Sequence, residues 1–166
     1  GLGLPASPGA ISGSIAFNAE DAIQLNSKGM IAVLVRSETS SEDIRGMDAS
    51  GGILTLRGGM SSHAALVARG LGKPCVVGVS DISMVDGKKS LVTRDGLILK
   101  SGDQITIDGS NGRVILGQAS MKQPEYSRYF YKIMNWAHEL GKISVKANAD
   151  TPEEAERAKG FKIDGI

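Results

Sequence analysis

The residues best equipped for chemistry in this chain stand together, in Gly58-Gly59-Met60-Ser61-Ser62-His63-Ala64-Ala65-Leu66-Val67-Ala68-Arg69-Gly70. A glycine pair, a short polar turn and then an alanine-rich stretch put His63 at the start of a helix. Unpaired backbone N–H groups and the positive end of the helix dipole converge there. Such a place receives anions. The same field disfavours the imidazolium cation, so the ring is expected in its neutral, nucleophilic form. A phosphoryl group on His63 would meet N–H donors, the bare backbone of Gly58 and Gly59, and hydroxyl donors on Ser61 and Ser62. An imidazole phosphoramidate is reactive and suits an intermediate, so the pattern points to nucleophilic catalysis of phosphoryl transfer. Arg69, six residues on, could meet the phosphoryl group or pair at the surface; the residues alone leave both open.

Other chemistries fit less well. Ser-Ser-His suggests a hydrolase, but adjacent residues rarely align hydroxyl and imidazole, and the chain has no Gly-x-Ser-x-Gly elbow. The second histidine, His138, lies far along the chain, and with no cysteine near either histidine no metal site is expected. No Gly-Lys-Ser/Thr follows the glycine pair, so it is not a Walker loop. Cys75, the only cysteine, sits in the apolar run Cys75–Val79 and reads as a buried structural thiol. It excludes an internal disulfide and suits a reducing, cytoplasmic compartment.

The elements around this turn follow from local signals. Met30–Val35 and Ile53–Leu56 are apolar runs that suit strands buried on both faces. Asn18 can cap a helix through Lys28 that Gly29 ends. Ser40 and Asp43 have capping-box spacing for a helix from about Ser41 to Ala49. The spacing predicts a helix from His63 to about Leu71, stopped by Gly72, and a strand at Cys75–Val79 after Pro74. The segment from Leu4 to Gly13 reads as turns leading into a strand at Ser14–Phe17. From Ser90 onward the pattern becomes a meander of short strands: Ser90–Thr93, Leu97–Lys100, Gln104–Asp108 and Arg113–Leu116. A layered α/β domain over residues 1–117 is therefore expected. Beyond it, 118–141 reads as a connector with an amphipathic helix at Tyr126–Leu140, in which Tyr129, Ile133, Trp136 and Leu140 share a face. Residues 142–166 read strand, helix, strand (Lys142–Ala147, Thr151–Lys159 and Phe161–Ile166), the beginning of a βαβ unit.

Composition narrows the partners. The 166 residues carry a net charge of +1 and are only 4% aromatic, so neither an electrostatic footprint for nucleic acid nor a base-stacking surface is expected. No apolar run reaches 18 residues, so no membrane partner is expected. Twenty-two glycines imply many tight turns and a backbone able to approach a ligand. The chain begins without Met and stops in a strand-like run, as if excised from something longer.

The run from Gly58 to Gly78 resembles the phosphohistidine signature of the phosphoenolpyruvate-utilizing enzymes. That group includes pyruvate, phosphate dikinase, phosphoenolpyruvate synthase and enzyme I of the sugar phosphotransferase system. Leu4–Ala10, Arg36–Ile44 with Gly46-Met47, Ala68–Lys73, Gly102–Gly109 and Asn148–Pro152 are most similar to the dikinase branch, so the resemblance covers nearly the whole chain. It implies a swivelling three-layer β/β/α phosphohistidine domain at 1–117. A linker or hinge helix at 118–141 and the truncated start of a (β/α)8 phosphoenolpyruvate/pyruvate-binding barrel at 142–166 would follow. It implies His63 as the phosphorylated residue, through its Nε2 (tele) nitrogen, with Gly58, Gly59, Ser61, Ser62 and Arg69 in support. The implied partners are an N-terminal ATP-grasp domain and the C-terminal barrel of the same chain, with Mg²⁺ in the parent enzyme, none bound by this fragment, and a homodimeric parent. The implied reaction is ATP + phosphate + pyruvate = AMP + pyrophosphate + phosphoenolpyruvate, with the fragment alone inactive. One departure stands out. Relatives commonly place Thr two residues before the histidine, where a regulatory kinase/phosphatase acts in some; here it is Ser61. The alternatives are the central domain of a phosphoenolpyruvate synthase, to which Ser62 and Gly70 are less similar, and a stand-alone phosphocarrier. A purely structural domain would leave the Gly-Gly-x-x-Ser-His turn without a purpose.

Overall fold

The computed structural model describes residues 1–85, 90–122, 127–141, 144–149, 151–161 and 163–165. They form two compact units, Gly1–Met121 and Lys122–Ile166. The first unit opens with β1 (Leu4–Ser7), β2 (Ala10–Ala16), α1 (Ala19–Ser27) and β3 (Ala32–Arg36). A 3₁₀ turn (Ser41–Asp43) then runs into α2 (Ile44–Ala49), and β4 (Gly52–Thr55), α3 (His63–Gly70) and β5 (Cys75–Val77) follow. The remaining strands are β6 (Ile82–Met84), β7 (Ser90–Thr93), β8 (Ile98–Lys100), β9 (Gln104–Asp108) and β10 (Arg113–Leu116).

Seven strands make one sheet in the order β1-β5-β4-β3-β2-β9-β10. Its centre, β2-β3-β4-β5, is parallel, and antiparallel pairings add β1 on one side and β9 with β10 on the other. Parallel neighbours need crossover connections that cover the sheet, so their strands are buried on both faces. The apolar runs at β3 and β4 meet that demand, since Ala32–Val35 and Gly52–Thr55 are wholly buried. Side chains alternate along each strand. Ile15, Val33, Val35, Leu54 and Val76 point to one face and pack with Ile82, Leu91 and Leu99 of the small sheet β6-β7-β8. Ala16, Leu34, Ile53, Cys75 and Val77 point to the other, against Ala22, Met47, Ala64, Ala65 and Ala68 of the three helices. The result is a mixed α/β fold whose sheet curls until its edges meet. Leu2 bridges Arg113, and the Gly3 N–H donates to the Gly112 carbonyl at 2.8 Å. Closing the curl pairs strand edges that would otherwise be open.

Local signals account for the helix boundaries. Asn18 caps α1, its Oδ1 accepting from the Asp21 N–H at 2.7 Å, and Gly29 ends that turn at φ +72°. The Ser40 N–H donates to Asp43 Oδ2 at 3.0 Å. Asp43 Oδ1 pairs with Arg36 Nε at 3.2 Å. With its carboxylate engaged on both sides, the first turn tightens to 3₁₀, so the single helix expected over 41–49 divides in two.

Two expectations need correction, and one strand was not foreseen. Leu4–Ser7, read as turns, is a strand. Pro5 is tolerated because β1 has one hydrogen-bonded strand neighbour, β5, and the pairing with it is interrupted by a bulge at Pro5/Ser7. Ile82–Met84 is a strand that had no alternation to announce it. The late strands do not form one meander. β7 and β8 join β6, whereas β9 returns to pair with β2 and buries Ile105 and Ile107 in the main core.

In the second unit, α4 (Arg128–Leu140) starts at Ser127, whose Oγ accepts from the Phe130 N–H at 3.3 Å, and ends at Gly141 with φ +60°. The expected first residue, Tyr126, lies outside the described residues. The face with Tyr129, Ile133, Trp136 and Leu140 is exposed, between 51% and 68%. α5 (Pro152–Lys159) connects two segments that meet in a parallel bridge, Lys146 with Gly165. Parts of the expected strands Lys142–Ala147 and Phe161–Ile166 lie outside the described residues. Among the described residues no helix is long and apolar enough to cross a membrane.

The Asn18 cap satisfies a donor the helix cannot. Asn18→Ala is expected to lower unfolding free energy by about 1 kcal/mol, read as a lower urea midpoint with an unchanged slope.

Candidate functional site

β4 ends at Thr55, and the chain turns through Gly58–Ser62 before α3 begins. Four contacts shape that turn. The Thr55 hydroxyl donates to the Arg57 carbonyl at 2.8 Å, and the Ser62 N–H donates to the Gly59 carbonyl at 2.9 Å. The pairing of β3 and β4 continues past the strand ends, with Leu56 N–H on the Arg36 carbonyl and Arg57 N–H on the Ser37 carbonyl. Gly58 has φ +101°, where a side chain is strained, and a Cβ there would lie 3.0 Å from Ser62 Cβ. Gly78, at φ +68° just after β5, faces the same turn, since its Cβ would come within 2.8 Å of the Gly58 carbonyl. The two glycines let the exits of β4 and β5 close on each other.

α3 is held down by its small face. Ala64, Ala65 and Ala68 are buried against the sheet beside Cys75 and Val77. Ser62 is the N-cap, its Oγ accepting from the Ala65 N–H at 3.4 Å. Because it accepts through a lone pair, its own proton stays available to a ligand. The amides of His63 and Ala64 are among those that a helix start leaves without an intrahelical acceptor.

His63 is thus the first residue of α3, partly exposed as a whole. Its Nε2 is buried and has no hydrogen-bond partner. Two other buried atoms lack a hydrogen-bond partner: Arg36 Nε, at the end of β3, and Thr39 Oγ1, on the segment leaving the carboxyl end of β3, the strand beside β4. Leaving a buried polar group unpaired costs about 1–3 kcal/mol. Such atoms in a folded protein ask for a ligand or a change of position. Ser61 is exposed. The Arg69 guanidinium donates through Nη2 to the Met60 carbonyl at 2.7 Å. Gly58, Gly59, Ser61, Ser62 and His63 are therefore one turn, and Arg69 reaches back to it from the far end of the helix. Sequence reasoning missed Thr39 and Thr55. Thr55 closes β4, so its signal was a hydroxyl at the end of a strand, whereas Thr39 lies three residues past β3 and had no local signal. Among the described residues no group of His, Cys, Asp or Glu could hold a metal ion.

Beneath the site, the Cys75 thiol points at the Ala64 carbonyl at a 4.0 Å Sγ···O separation. Burial pushes it up from an ordinary 9.0 to about 12, with the Arg69 charge pulling the other way. It is no nucleophile.

Fold and turn together define a class: a mixed α/β domain that presents a histidine, on a glycine turn and a helix start, at the carboxyl end of a parallel sheet. The chain belongs to the family described as the PEP-utilising enzyme, mobile domain, which it matches over residues 30–112. It is 51% identical over 166 residues to a pyruvate, phosphate dikinase of Rhizobium meliloti (strain 1021), covering all of this chain and 18% of that protein. It is 48% identical over 164 residues to one of Rickettsia felis (strain ATCC VR-1525 / URRWXCal2), covering 99% of this chain and 18% of that protein. For the chloroplastic pyruvate, phosphate dikinase of Flaveria pringlei the identity is 49% over 164 residues, with 99% and 17% covered. The chain thus spans under a fifth of the length of these relatives. A solution NMR structure of Enzyme I (nEIt) superposes with a TM-score of 0.38 at 27% identity, over 66% of this chain and 38% of that one.

A thiol raised by folding makes stability fall with pH. Above 9.0 the unfolded chain releases the Cys75 proton while the native chain keeps it up to about 12, so the native state binds more protons and loses ground as pH rises. Thermal unfolding is expected to show a melting temperature that drops across this window. Cys75→Val should flatten that drop.

Proposed function

We propose that this chain is the phosphohistidine domain of a pyruvate, phosphate dikinase and that His63 is its covalent phosphoryl carrier. The observation that carries the reading is an imidazole whose buried Nε2 has no partner, on a helix start between a glycine turn and a capping serine. Close identity to dikinases along the whole chain supports the choice of reaction: ATP + phosphate + pyruvate = AMP + pyrophosphate + phosphoenolpyruvate.

In this reading the Nε2 lone pair attacks phosphorus of a nucleotide bound at a remote ATP-grasp domain. The N–P bond to the β-phosphorus of ATP forms as the bond to the AMP oxygen breaks, and inorganic phosphate then attacks the terminal phosphorus to release pyrophosphate, leaving one phosphoryl group on the ring. The second transfer reverses the roles: the enolate oxygen of pyruvate, bound in a C-terminal barrel, attacks phosphorus and the imidazole leaves. While the group is on His63, the amides at the start of α3 and the hydroxyls of Ser61 and Ser62 stabilise its charge. Because Nε2 is buried, the ring must turn outward to meet either donor or acceptor. Its unpaired state inside lowers the cost of doing so. Transfer between two remote sites calls for a swivelling β/β/α unit at 1–117, with the linker helix in 118–141 as hinge and 142–166 as the start of the barrel. Mg²⁺ belongs in this reading to the other domains, and no step of this chain is routed through it.

Ser61, exposed on the same turn, is proposed as a regulatory acceptor. A second dianion beside the first would oppose phosphorylation of His63. With a regulatory kinase of the dikinase family and ADP, label is expected on Ser61, with loss of His63 labelling. The absence of label there sinks the regulatory role alone.

For the main reading, ³²P-labelled phosphoenolpyruvate with a separately supplied barrel domain should leave an acid-labile, base-stable adduct on this chain. His63→Ala should abolish it. Adduct persisting in that variant would falsify the assignment.

A further inference from the structure

Arg69 stands in the last turn of α3, and the residue it touches, Met60, stands before the first. Six residues of helix separate His63 from Arg69, about 9 Å along the axis. The arginine side chain runs back over that length to place Nη2 2.7 Å from the Met60 carbonyl. Its charge also acts on Cys75, which lies under the start of the helix. The stretch from Gly58 to Ser62 has little else to fix it. Gly58 and Gly59 carry no side chain, Met60 and Ser61 are exposed, and the one backbone bond inside the turn is Ser62 N–H on the Gly59 carbonyl. Among the described contacts, the guanidinium on Met60 is the one that ties the middle of the turn to the helix behind it.

From this we infer that Arg69 is a positioning residue. It acts on the reaction through the Met60 carbonyl, setting the turn against the start of α3 so that the His63 ring and the free amides face one incoming phosphoryl group. The inference deepens the reading of His63 as the phosphoryl carrier and rests on it. The contact uses one N–H of the guanidinium, a cationic donor at the end of a long side chain. The bond is exposed to solvent, so it adds little to global stability. Its effect is local order, and that separates it from a core contact.

The chain itself, phosphorylated with potassium phosphoramidate, tests this without any partner domain. The imidazole nitrogen attacks phosphorus, the N–P bond to histidine forms, and the P–N bond of the reagent breaks to release ammonia, which takes up the proton. ³¹P NMR reads the rate of adduct formation, and ¹⁵N-edited spectra read the amides of Gly59 to His63. Arg69→Ala is expected to take up phosphate about tenfold more slowly and to displace those amide signals. Its melting temperature should stay within about 2 °C of the unsubstituted chain. Arg69→Lys, whose ammonium can still donate to the Met60 carbonyl, should recover the rate and return the amide signals. A slow Arg69→Ala whose amides have not moved means a direct charge contact with phosphate and overturns the positioning role. Moved amides with an unchanged rate also overturn it. If the unsubstituted chain takes up no phosphate on His63, the carrier reading fails and this inference goes with it. If it does and Arg69→Ala matches its rate, the inference alone fails.

Discussion

The arrangement depends on how closely one short helix can approach a parallel sheet. α3 meets the strands through Ala64, Ala65 and Ala68, all but fully buried. The fully buried side chains on that face are methyl groups, with Val67 packed at its margin, so the helix backbone sits near β4 and β5, and a larger residue at an alanine would force it off by overpacking. That seat decides where the helix begins, and so where the first free amides and His63 point. Cys75 fits the same constraint from below, as a small apolar atom rather than a reactive one.

A seat so close leaves little chain to connect it. Between Thr55 and His63 the backbone must leave a strand, reverse and enter a helix, with the exit of β5 pressed against it at Gly78. Gly58 supplies the backbone freedom, Ser62 supplies the cap, and Arg69 supplies a strap from outside. None of these contacts satisfies His63 Nε2 or Thr39 Oγ1. Arg36 Nε, at the end of β3, likewise has no hydrogen-bond partner, although it lies 3.2 Å from the Asp43 carboxylate. The unpaired atoms thus gather where β3 and β4 end, a cost carried at the site and not in the scaffold.

Much of this was legible before any coordinates. The alanines after His63, the stops at Gly29 and Gly72, and the Asn18 cap are local signals, and local signals survive folding because neighbours along the chain produce them. The apolar runs of β3 and β4 announced strands buried on both faces. The turn announced a helix start with unpaired amides, because a glycine pair and a capping serine before an alanine-rich stretch mean the same physics wherever they occur.

The sequence by itself determined the residue types at the turn, most helix boundaries, and the placing of His63 where backbone amides go unpaired. Tertiary structure alone decided that Leu4–Ser7 pairs as an outer strand, that β9 abandons its neighbours in sequence for β2, and that Arg69 serves the Met60 carbonyl. It also decided that Nε2 of His63 is tucked in unpartnered. These are contacts between segments far apart in sequence, or across a full helix length. They are set by which surfaces fit together once the sheet has curled, a sum over many side chains that no short stretch carries.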